Sequence, residues 1–69
     1  MIGTKLTSTQ ALELRGKFLN DSCTFEPVID INGDYFIFEG EVNDCTNEDF
    51  MWVKDLPTAE YVAPINNEI

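Results

Sequence analysis

The stretch Glu26-Pro27-Val28-Ile29-Asp30-Ile31-Asn32-Gly33-Asp34-Tyr35-Phe36-Ile37-Phe38-Glu39 decides the fold, because β-branched and aromatic residues flank an Asn-Gly pair. Asn-Gly accepts positive φ at both central positions of a type I′ turn, whose twist matches that of paired strands. The stretch reads as a β-hairpin with a two-residue loop at Asn32-Gly33. In that register Ile29 faces Phe36 and Val28 faces Ile37. One side then collects Phe25, Pro27, Ile29, Ile31, Phe36, Phe38 and Val42 as core. The other carries Val28, Tyr35 and Ile37 as an apolar patch rimmed by Glu26, Asp30, Glu39 and Glu41. A slip of one residue would exchange the two sides.

Upstream, Thr7 followed three residues later by Gln10 fits a capping box, and a helix is expected over about residues 8–19. Ala11, Leu14 and Phe18, with Leu12 and Leu19 beside them, form its apolar arc, and Arg15 falls inside that arc. Gly16 disfavours the helix interior and marks either a close backbone approach or an early end. Asn20-Asp21-Ser22 reads as the exit turn. Strands are expected over about 24–31 and 34–42, with a bend at Gly40, then over 50–54 and, as a short edge, 60–63. Residues 2–6 are either a frayed start or an edge strand, and residues 65–69 are expected to be loose. The fold class is therefore α+β in a single small domain over residues 1–69: one N-terminal helix packed on a three- to four-stranded antiparallel β-meander. One helix covers one sheet face, which leaves Val28, Tyr35 and Ile37 exposed or buried in a complex.

The chain has 69 residues, a hydrophobic content of 43% and a net charge of −9. It is too apolar for a disordered segment and small enough for its core to be marginal. Charge is unevenly divided: residues 1–20 carry +2 and residues 21–69 carry −11. Such a field repels nucleic acid and attracts basic surfaces. The rings of Tyr35, Phe36, Phe38, Trp52 and Tyr61 therefore read as core or interface side chains rather than as base-stacking platforms. No segment approaches the roughly 18 to 20 apolar residues of a membrane helix, and no basic-then-apolar leader opens the chain, so a cytoplasmic location without a membrane partner is expected. Cys23 lies opposite Val42 in the expected register, three residues short of Cys45, so a disulfide between them needs a bend.

With no histidine, Ser-His and Cys-His nucleophile pairs and His-bearing zinc sites are excluded. Gly33 and Gly40 lack the spacing and the lysine of a phosphate-cradling loop. Asp30 to Glu41 resembles an EF-hand calcium loop at its first, third, fifth, eighth and twelfth places, which implies oxygen ligation of a hard cation. Tyr35 stands where that loop needs glycine, and the preceding Pro27-Val28-Ile29 is not helical in character. The hairpin reading is preferred, and no cofactor is expected. The functional expectation is a non-enzymatic protein that engages a basic protein surface, with Glu26, Val28, Asp30, Tyr35, Ile37, Glu39 and Glu41 as contact residues. Inhibition by mimicry of nucleic acid, of the kind seen among accessory proteins of phages and mobile elements, is one form this takes. A homodimer formed through the open sheet face and a small-ligand or cation-binding protein are the alternatives.

Overall fold

The computed structural model describes residues 1–65. Its class is α+β, as expected, with one sheet of four antiparallel strands and a second sheet of two. The strands are β1 (Ile2–Leu6), β2 (Phe18–Asn20), β3 (Cys23–Thr24), β4 (Val28–Ile29), β5 (Tyr35–Ile37) and β6 (Thr58–Glu60). The helices are α1 (Ser8–Leu14) and α2 (Glu39–Asp44), followed by a 3-10 helix over Glu48–Asp55. The larger sheet runs β4-β5-β1-β6, so the N-terminal strand lies at its centre. The loose tail expected at 65–69 falls, from residue 66 onward, outside the described residues.

Helix α1 begins where the sequence places it. Thr7 Oγ1 accepts from Gln10 N at 3.1 Å, and Gln10 Oε1 accepts from Thr7 N at 2.8 Å, closing the capping box. The helix ends at Leu14 rather than residue 19, because Gly16 takes φ +75, a left-handed turn that glycine adopts at no steric penalty. The chain then pairs back as β2 with β3. At their turn Asn20 Oδ1 accepts from Ser22 N and Cys23 N at 3.0 and 3.1 Å, so the expected exit turn is a hairpin turn. Leu19 is buried from a strand, while Leu12 and Phe18, assigned to the helix's inner arc, are exposed.

The central hairpin forms in a different register from the expected one. Val28 pairs with Phe36 and Ile29 with Tyr35, one step away from the type I′ pairing. Asp30 N donates to Asp34 O at 2.8 Å and Gly33 N to Asp30 O at 3.0 Å, leaving a three-residue loop. Gly33 alone has positive φ, +85, and Asn32 does not, which is the type I turn plus αL glycine of three-residue hairpins. The Asp30 carboxylate selects this loop: its Oδ1 accepts from Asn32 N and Asp34 N, both at 2.9 Å. The shift by one residue exchanges the faces. Ile37 is 0% exposed in the core with Leu6, Ala11, Leu14, Leu19, Phe25, Cys45 and Val53, and Tyr35 packs against that core.

Phe36 and Phe38 occupy the opposite side of the sheet, over Gly3. A Cβ at Gly3 would lie 2.9 Å from a Phe36 ring carbon, so only glycine lets the rings settle on β1. Tyr61 closes this side edge-on, with ring centroids 5.4 Å from Phe36 and 5.1 Å from Phe38. Phe36, expected in the core beneath the helix, is instead buried to 1% exposure on the side away from it, under Tyr61.

Two further expected strands are helical. Residues 34–42 leave the sheet after Ile37, and α2 directs Val42 and Cys45 inward four and seven residues after Phe38. Glu39 and Glu41 lie in its first turn, where negative charge suits the helix dipole. Residues 50–54 belong to the 3-10 helix. Phe50, Val53 and Leu56 recur every three residues, the 3-10 period, and all three pack on the core. Asn47 caps this helix through Asp49 N at 2.9 Å. The edge strand expected at 60–63 forms slightly earlier, as β6 against β1. Both cysteines are free thiols, Cys23 exposed and Cys45 buried. No helix among the described residues is long and apolar enough to cross a membrane.

Candidate binding surface

The seven expected contact residues do not form one surface. Ile37 is core, and Asp30, 4% exposed, spends its carboxylate on the hairpin turn. Glu41 is also structural: its Oε2 accepts from Glu26 N at 3.0 Å and its Oε1 lies 3.5 Å from Phe38 N, tying α2 to the segment before β4. Tyr35 is half-buried on the α1 side and lines a groove of about 250 Å³ with Leu12, Arg15, Pro27 and Ile29. Val28 is exposed on the other side of the sheet, beside Phe36. Glu26 and Glu39 remain exposed carboxylates. The cause is again the one-residue register, which placed Tyr35 and Ile37 beneath α1.

The structure brings a different set of groups to the surface. Asn20 Nδ2 donates to Asp44 O at 3.3 Å, Thr46 N to Leu19 O at 2.9 Å and Asn47 Nδ2 to Phe18 O at 3.5 Å. These bonds dock the β2–β3 hairpin on the link between α2 and the 3-10 helix. They bring Asp21 and Phe18, which is 62% exposed, into one groove with Asn20, Thr46 and Asn47. The run from Asn43 to Asp49 is visible in the sequence as a polar connection, but the docking of Thr46 and Asn47 on β2 is not.

A region of mixed charge lies at the β6 end of the sheet. There a groove of about 290 Å³ runs between β1, β6 and the two C-terminal helices, with Ile2, Val42, Val53 and Leu56 as apolar lining and Glu39, Lys54 and Thr58 at its polar parts. Glu60, on β6, meets the N-terminal ammonium at 2.7 Å. Asp34, in the hairpin loop, meets Lys5 of β1 at 3.5 Å. Among the described residues these are the only ion pairs, and no three metal-ligating side chains converge.

The two edges of the main sheet differ. At β4 the Tyr61 hydroxyl donates to Ile29 O at 3.3 Å and Ile31 N donates to Val62 O at 2.9 Å, so residues 61 and 62 take up two outward groups of that edge, while Ile29 N has no partner among the described residues. At β6 the ladder to β1 is extended by Lys5 N to Pro57 O at 2.9 Å and Tyr61 N to Met1 O at 2.7 Å. Alternation then turns the N–H and C=O of Thr58 and Glu60 away from β1, and they have no partner among the described residues. Comparison with protein-family models, curated proteins and solved structures found no match to this chain.

Proposed function

We propose that this chain is a non-enzymatic binding module that engages a basic surface of a partner protein, in the manner of an inhibitor that occupies a nucleic-acid-binding face. The observation that supports this is the fate of the carboxylates. Asp30 and Glu41 hold backbone N–H groups, and Asp34 and Glu60 meet cations. Glu13, Asp21, Glu26, Glu39, Asp44, Glu48, Asp49 and Asp55 are exposed and make no ion pair among the described residues. Such unneutralised charge weakens the folded state through self-repulsion and is offset when a cationic partner approaches.

The supporting experiment is capture from a host extract followed by competition. The partner is expected to be basic, to be displaced by duplex DNA and to dissociate at about 1 M salt, where the screening length falls to about 3 Å. A partner of neutral charge that is retained at high salt and is indifferent to DNA would contradict the reading.

A further inference from the structure

We infer that the β6 edge is the docking strand: a basic, extended segment of the partner adds to the sheet beside Thr58 and Glu60. This rests on the proposed acidic-binding reading and names the site and the form of the ligand. A sheet edge with unpaired N–H and C=O groups is a template for another strand, and folded proteins usually block it. Here one edge is partly blocked and the other is open. Residues 61 and 62 take up Ile29 O and Ile31 N at β4 and leave Ile29 N, whereas none of the outward groups of Thr58 and Glu60 at β6 has a partner among the described residues.

The net charge of −9 favours a basic occupant. At β6 itself Glu60 is met by the N-terminal ammonium, and Glu39, which makes no ion pair among the described residues, lines the neighbouring 290 Å³ groove. An added strand presents every second side chain to that side of the sheet. A lysine or arginine there lays its methylene stem along Val42, Val53 and Leu56 and carries its charge to Glu39. Lys54, also on the groove, disfavours a second cation in the same place, so an alternation of basic and small apolar residues fits better than a continuous basic run. A second copy of this chain is disfavoured at this edge because each carries a net charge of −9.

The test uses the whole protein and three capped synthetic peptides: one alternating lysine and valine, the same peptide N-methylated at alternate amides, and a lysine-rich helical peptide of equal charge. N-methylation preserves charge and removes the donors that pair with an edge. The alternating peptide is expected to bind about tenfold or more tightly than either of the others, as two or so lost hydrogen bonds imply. It is also expected to slow amide exchange at Thr58 and Glu60. Thr58→Pro removes an outward N–H and no ladder bond, so it is expected to abolish the preference while leaving the unfolding midpoint nearly unchanged.

Equal binding of all three peptides, with Thr58 and Glu60 still exchanging freely, overturns the docking strand and leaves the acidic-binding reading standing. Absence of binding by every peptide at low salt overturns both. A dimer in sedimentation without peptide, with those amides already protected, assigns the edge to a second copy and overturns the proposal as well.

Discussion

Replacing Asp30 probes the residue that sets the hairpin register. Its carboxylate oxygen Oδ1 accepts from Asn32 N and Asp34 N at 2.9 Å each, in a site only 4% exposed. Hydrogen bonds to a charged acceptor contribute about 1.5 to 3 kcal/mol each, and turn N–H groups recover part of that from water, so Asp30→Ala is expected to cost about 2 to 3 kcal/mol. A domain of this size has only about 3 to 5 kcal/mol to lose. With a urea dependence near 1 kcal/mol per molar, the midpoint falls by about 2 M, and the melting temperature by on the order of 10 °C or more. Both bonds end on one oxygen, which asparagine retains, so Asp30→Asn is expected to cost about 1 kcal/mol or less. Urea unfolding of both variants by circular dichroism measures the difference. An alanine variant within about 0.5 kcal/mol of the parent, or an asparagine variant as unstable as the alanine one, would refute the assignment of register to this side chain.

Two other substitutions examine the covered side of the sheet. Gly3→Ala places a Cβ 2.9 Å from the Phe36 ring and 3.2 Å from that of Phe38, and is expected to cost about 1 to 3 kcal/mol; unchanged stability would show that the rings do not rest on β1. Tyr61→Phe loses only the hydroxyl bond to Ile29 O and is expected to cost about 1 kcal/mol, whereas Tyr61→Ala also uncovers Phe36 and Phe38 and is expected to cost about 3 kcal/mol or more by thermal unfolding. Equal effects from the two would contradict the edge-to-face packing.

The sequence was legible where a signal is local. Thr7 and Gln10 lie within one turn of each other, and their capping box fixes the start of α1 without reference to the rest of the chain. Asn32-Gly33 marked a reversal correctly, but a type I′ turn and a type I turn with a following αL glycine share that dipeptide. The choice fell to Asp30, whose side chain favours the first position of a type I turn. That single step moved Tyr35 and Ile37 from a supposed contact surface to the core side. The period-two appearance of residues 35 to 41 hid the three-residue spacing of Val42 and Cys45, and the alternation of Phe50, Trp52 and Lys54 hid the three-residue recurrence of Phe50, Val53 and Leu56. The central place of β1 was not legible, because it depends on pairing with residues 35 to 37 and 58 to 60, far along the chain.

The proposed docking at β6 rests on the unequal sheet edges, and native-state amide exchange followed by NMR on the protein alone tests them most directly. Ile31, bonded to Val62 O, is expected to exchange slowly, while Thr58 and Glu60 exchange at rates near those of an unfolded chain. Protection of Thr58 and Glu60 equal to that of Ile31, or rapid exchange at Ile31, would contradict the claim that residues 61 and 62 cover part of one edge and leave the other free.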